Sequence, residues 1–154
     1  MTETEKLEQE AFEQNIPVDY VKFKSARLHG LYIDGSIAIH SGLSSAQTAD
    51  TLAEELEHHY TSVGNILDLT KVANRKQERI ARLRAYDRRI GLSGIVQGYQ
   101  HHCQTLYELA DCLDVSEEFL AEALECYRER YGTHVEFDGY MIFFIPSLMV
   151  YEKV

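Results

Sequence analysis

The chain has 154 residues, of which 45% are hydrophobic and 26% charged, a balance that predicts one globular domain with its own core and excludes a disordered chain. No apolar run approaches the ~18–20 residues that span a bilayer, and a formal charge of −10 disfavours nucleic-acid binding driven by counterion release. The three cysteines, Cys103, Cys112 and Cys126, are odd in number and lack C-x-x-C spacing, so reduced thiols in a cytoplasm are expected rather than a disulfide framework or a zinc knuckle.

Residues 1–13 carry five Glu and one Lys, which fits neither a signal peptide nor a transit peptide. Thr2 and Glu5 have capping-box spacing, and Leu7, Ala11 and Phe12 give a thin apolar stripe, so a short acidic helix is expected over about 2–14, ended by Pro17. The period then changes. Leu31 and Ile33 alternate before Asp34-Gly35, and Ile37 and Ile39 alternate after it. Asp-Gly between such runs predicts a hairpin, with strands near 28–33 and 36–40. Val21 and Phe23 mark a third strand.

Ser44 and Gln47 again have capping-box spacing, and Ala49, Leu52, Ala53, Leu56 and Tyr60 recur at helical spacing, so a helix is expected over about 45–61. A second long helix covers about 73–90 and ends at Gly91. A third spans about 93–102. Two more follow, over about 106–113 and 116–130, the last started by Ser116 and stopped by Gly132. A second Asp-Gly pair, Asp138-Gly139, lies between Val135/Phe137 and Met141/Phe143 and predicts a closing hairpin. The expectation is one α+β domain over 1–154, built from an N-terminal helix (1–16), a core (18–90) and a helical part (91–154).

The run Glu54-Glu55-Leu56-Glu57-His58-His59 stands apart. Residues four apart share a helix face, so Glu54 pairs with His58 and Glu55 with His59. The Glu54/His58 pair lies roughly opposite the apolar stripe. A carboxylate and an imidazole one turn apart can hold one divalent metal. On the next long helix Glu78, Ala81 and Ala85 fall on one side. If those small residues pack against the first helix, Glu78 stands beside the contact as a third ligand. Asp68, ten residues after His58, is the alternative. The competing reading of Glu78 is an ion pair with Arg75 or Arg82, each within one turn.

The order of elements resembles the ImmA/IrrE family of small zinc endopeptidases, in the short form carried by phages and other mobile elements beside a helix-turn-helix repressor. The resemblance covers about 28–145 and is strongest over 31–90. It is carried by Gly30-Leu31-Tyr32, Ile37-Ala38-Ile39, the run from Leu52 to Tyr60, Asn74-Arg75-Lys76-Gln77-Glu78, Ala81 and Ala85-Tyr86. It implies a zincin-like metallopeptidase core of helices with a small antiparallel sheet and a C-terminal helical part. Against the family's H-E-x-x-H pattern, Glu54 stands at the first His, Glu55 matches the catalytic Glu, and His58 matches the second His. Glu78 matches the acidic ligand of the following helix. His59 and Tyr86 are the candidates for oxyanion stabilisation, and no spacing argument selects between them.

Glu54 is a departure from that pattern. Carboxylate in place of imidazole keeps a ligand but puts more negative charge on the metal, making it a weaker Lewis acid. Two carboxylates and one His also admit Mn²⁺ or Fe²⁺ beside Zn²⁺. The resemblance implies a metal-dependent endopeptidase-like protein that cleaves or inactivates a cognate repressor. The alternative is a catalytically inactive antirepressor of the same fold that acts by binding. Either way the partner is a protein, with no direct nucleic acid and no membrane.

Other features carry blander readings. His101-His102 beside Cys103 reads as a surface helix end, because nothing supplies the paired spacing of a closed metal site. The segment 106–130 is spaced like a helix-turn-helix core, but Glu117, Glu118, Glu122, Glu125 and Glu129 make its second helix too acidic to read DNA. The stretch 71–89 holds eight of the fifteen Lys and Arg with two acids. It is expected to face the acidic helices of the chain or an acidic partner.

Overall fold

The structure, a computed structural model, describes residues 1–25, 27–62 and 71–154, with side chains from residue 75 onward in the last segment. The chain forms two compact units, Met1–Ala85 and Tyr86–Val154, and the division falls inside one helix. Both units combine helices with a small sheet, so the α+β class holds.

In the first unit α1 (Glu3–Glu13) begins at a complete capping box: Glu5 N–H donates to Thr2 Oγ1, and Thr2 N–H donates to the Glu5 carboxylate. Then come β1 (Val18–Val21), β2 (Gly30–Ile33) and β3 (Ser36–His40). Asp34 and Gly35 both have positive φ, 49° and 80°, the two-residue turn that the Asp-Gly pair predicts. The β2–β3 hairpin is antiparallel, with Leu31 opposite Ala38. The expectation of a purely antiparallel sheet is corrected at β1, which pairs parallel to β3, Tyr20 opposite Ile39, in the order β1-β3-β2. The reason is topological. Each connection reverses the chain, so first and third strands run the same way, and β3 takes the central place.

The next helix, α2 (Ser45–Ser62), also starts at a capping box, Ser44 with Gln47. Its stripe Ala49, Leu52, Ala53 and Leu56 is at most 1% exposed and packs with Ile37 and Ile39 of β3 and with Leu7 and Ala11 of α1. Burial does not stop at the stripe: Asp50, Thr51, Glu55 and Glu57 are also buried. The helix is therefore covered on more than one side, and its Glu-rich face is not a plain solvated surface. Edge strand β2 reaches it at Gly30, where an added Cβ would stand 2.6 Å from Thr51 Cγ2 and 3.3 Å from Glu55 Cγ. Thr51 cannot yield easily, because its hydroxyl donates to Gln47 O.

Helix α3 (Lys71–Arg89) carries Ala81 and Ala85, both fully buried, and Arg82, whose Nε lies 3.8 Å from Glu54 Oε1 on α2. That ion pair links α3 to α2. Arg75, Lys76, Arg79 and Arg84 of α3 are exposed.

In the second unit the end of α3 is followed by α4 (Gly91–Gln100), α5 (Leu106–Leu113) and α6 (Glu117–Tyr131). Thr105 and Ser116 cap α5 and α6. Asp114 closes α5 in the left-handed conformation at φ 53°. Its carbonyl accepts from Arg89. Leu109, Val115, Phe119, Leu120, Ala123 and Tyr127 form the core. The five glutamates of α6 are exposed. His101 and His102 lie exposed at the end of α4. The closing hairpin, β4 (His134–Phe137) and β5 (Tyr140–Phe143), turns at Asp138-Gly139 with φ 48° and 82°. A further strand that the sequence reading omits, β6 (Met149–Glu152), adds antiparallel to β5. Among the described residues no helix is long and apolar enough to cross a membrane.

Gly30→Ala is expected to lower stability by ~1–3 kcal/mol, because the new methyl meets the fixed Thr51 side chain. A urea titration measures it. An unchanged midpoint would mean that β2 does not need to lie this close to α2.

Candidate metal centre

Of the residues singled out in the sequence, Glu54, Glu55, His58 and His59 lie on α2 and Glu78 on α3, whose Arg82 faces Glu54. Glu55 comes from the covered side of α2, and its side chain is 9% exposed. One of its oxygens, Oε2, is buried without a hydrogen-bond partner among the described residues. That oxygen lies 3.5 Å from Nδ1 of His58, three residues on, an ion-pair distance rather than a well-formed hydrogen bond. His58 is partly buried. Its pKa is raised above the ordinary imidazole value, chiefly by the Glu55 carboxylate. Burial opposes that shift, and the charges of Glu54 and Glu78 add to it. One imidazole therefore senses all three acids that the sequence picked out.

Glu54 and Glu78 are joined through a cation of the chain itself. Arg82 Nε stands 3.8 Å from Glu54 Oε1, and its Nη2 stands 3.7 Å from Glu78 Oε1. The ion pair weighed as the rival reading of Glu78 is thus present, and the same guanidinium reaches Glu54 as well. Asp68 lies outside the described residues.

His59 points to a different neighbour. Its Nδ1 and the Tyr32 hydroxyl of β2 are hydrogen-bonded at 2.8 Å, and the two rings meet edge to face at 5.5 Å. Tyr60, beside it, donates to Glu10 of α1 at 2.7 Å. The consecutive residues His58, His59 and Tyr60 are thus fixed in three directions, toward Glu55, β2 and α1. Tyr86 belongs to the second unit, where it is 1% exposed, packs edge to face on Phe119 and donates its hydroxyl to Glu122 at 3.1 Å. Sequence reasoning missed Tyr32, because a contact 27 residues away leaves no local spacing signal. It also missed the double reach of Arg82, since periodicity on α3 shows only the Glu78 partner.

The donor set fits a divalent cation by its chemistry. Two carboxylates and an imidazole are ordinary ligands, and Glu55 Oε2 is buried with no hydrogen bond among the described residues, facing His58 Nδ1. The side chains themselves are closed on Arg82: among the described residues no three His, Cys, Asp or Glu are grouped so as to hold an ion. No protein-family model matches this chain, and neither does any curated protein or solved structure.

The raised pKa of His58 has a pH consequence for the cation-free protein. A group whose folded pKa exceeds its unfolded value stabilises the fold fully below the unfolded pKa, ~6.5 for His. That contribution fades as pH rises through the folded value. Wild-type protein is expected to be more stable than His58→Gln at pH 5.5, with the gap narrowing toward pH 8.5. Thermal unfolding in the presence of a chelator measures it, and a gap that is constant or widens with pH would contradict the Glu55–His58 pairing.

Proposed function

We propose that the chain is a zincin-like, metal-dependent endopeptidase of the ImmA/IrrE type that inactivates a cognate helix-turn-helix repressor of a mobile element. What supports this reading is that the charges of Glu54, Glu55 and Glu78 all act on the His58 imidazole, while Arg82 faces Glu54 and Glu78 and the Glu55 Oε2 is buried with no hydrogen bond among the described residues. Glu54, His58 and Glu78 would hold the ion, Zn²⁺ or else Mn²⁺ or Fe²⁺. A bound divalent ion supplies Lewis acidity and a more acidic water. Glu55 would take a proton from the attacking water and pass it to the leaving amine, the general acid–base role of a buried carboxylate. Glu55, beside His58 Nδ1, would orient the imidazole as a ligand, the role a second group plays at such sites. His59, tied to Tyr32, lines the β2 side and is the remaining candidate for oxyanion stabilisation.

A second reading is favoured by Arg82. A guanidinium that already neutralises Glu54 and Glu78 suits a protein of the same fold that has given up the ion and disables the repressor by docking alone. The two readings part on Glu55. Incubated with Zn²⁺ and the repressor encoded beside it, the wild-type chain is expected to cleave. Glu55→Gln is expected to slow cleavage by about 10²–10⁴-fold, the scale of one lost acid–base group. Gel electrophoresis of the repressor reads this. Full cleavage by Glu55→Gln would remove Glu55 as the base. Release of operator DNA without cleavage, equal for both proteins, would establish the docking reading instead.

A further inference from the structure

We propose that Cys103 and Cys112, in the second unit, form a dithiol site that exchanges with low-molecular-weight disulfides and closes reversibly into an internal disulfide between the end of α4 and α5. The proposal is independent of the metal reading above.

Local chain geometry brings the two residues together. Helix α4 ends with His102 in the left-handed conformation at φ 61°, and Cys103 N–H donates to Gly98 O at 3.0 Å. That closure folds Cys103 back against the last turn of α4. Gly98 is also a point where α5 packs against α4: an added Cβ there would stand 2.2 Å from Leu109 Cδ1 and 4.0 Å from Cys103 Cβ. Cys103 is thus held at a helix–helix contact, and its thiol donates to the Glu108 carbonyl at 3.6 Å. Cys112 lies one turn further along α5, where the helical pattern directs its own N–H to that same carbonyl. Both cysteines therefore converge on one oxygen, and their thiols are hydrogen-bond partners. Thr105, whose hydroxyl accepts from Glu108 N–H, fixes the start of α5. Both cysteines are partly exposed, so a small disulfide reaches them. Partial burial, the Cys112 thiol, Glu108 and Asp111 hold the Cys103 thiol above its ordinary pKa. The reduced form thus gains no thiolate stabilisation that would oppose closure. Cys103 also lines a cavity of about 210 Å³ with Ile95, Leu109, Leu124 and Val150, so the bridge would fix one wall of it.

The exchange balances in two steps. One thiol loses its proton to solvent and attacks a sulfur of the small disulfide RSSR, expelling RS⁻ and leaving a mixed disulfide. The second thiol, deprotonated in turn, attacks the protein sulfur of that mixed disulfide and expels the other RS⁻. The protein dithiol is oxidised, the small disulfide is reduced, and the two protons end on two RSH. Excess small thiol reverses both steps.

Oxidised glutathione is the probe, and intact mass after an acid quench is the readout. Cys126→Ser retains the proposed pair and removes the third cysteine. It is expected to lose the mass of two hydrogens and both titratable thiols as a monomer, without an adduct, and to regain them in dithiothreitol. Peptide mapping of the oxidised wild-type chain is expected to find the bond between Cys103 and Cys112. Cys126→Ser protein that stays reduced, carries only glutathione adducts or links into dimers would overturn the proposal, as would a wild-type bond that uses Cys126.

Discussion

Carboxylates crowded beside one another and partly removed from water must be matched by positive charge, and this requirement organises the meeting of α2 and α3. Glu54, Glu55 and Glu78 all raise the proton affinity of His58, so their fields overlap at one ring. Glu55 is the acid nearest the His58 ring, and Arg82 faces Glu54 and Glu78. Deprotonated carboxylates left unpaired here would repel one another across a medium less polarisable than water. Such a cluster persists because something positive completes it. The positive partners here are the His58 imidazole and the half-exposed Arg82 guanidinium.

The rest of the first unit serves to bring these groups together. Ala81 and Ala85 of α3 are fully buried, and Arg82 beside them reaches Glu54 of α2. The fully buried stripe of α2 on β3 and α1 fixes the rotation of that helix, and with it the direction of Glu55. Gly30 allows β2 to touch α2 at Thr51 and Glu55, which narrows the space on the covered side. Tyr32, two residues along β2, then holds His59. The second unit has its own core around Leu120 and Tyr127, and Tyr86 and Arg89 at the end of α3 are tied into it through Glu122 and Asp114.

Features set by short-range chemistry were legible in the sequence. The capping pairs Thr2/Glu5 and Ser44/Gln47, and both Asp-Gly turns, form as their spacing predicts, because each depends on residues within one turn of chain. The helical run that carries Glu54 and His58 was legible for the same reason, whereas Glu78 is exposed although Ala81 and Ala85 of the same helix are buried. What was not legible depends on distant partners. The parallel placement of β1 follows from where the chain crosses β3, which alternation in Val18–Val21 cannot encode. Strand β6 lies beyond a Pro-containing stretch that gives no turn signal of the Asp-Gly kind. The burial of Glu55 and Glu57 is set by β2 and α1 covering a helix face that composition alone describes as polar.

The proposed function requires Glu54, His58 and Glu78 to make one coordination shell for a divalent ion. X-ray absorption at the zinc edge, on protein carrying one equivalent of Zn²⁺ after gel filtration, tests it most directly. The account predicts a shell of oxygen and nitrogen at ~2.0–2.2 Å with an imidazole scattering signature, and loss of that signature in His58→Ala. Zinc that washes off during gel filtration, or an all-oxygen shell indifferent to His58, would contradict it.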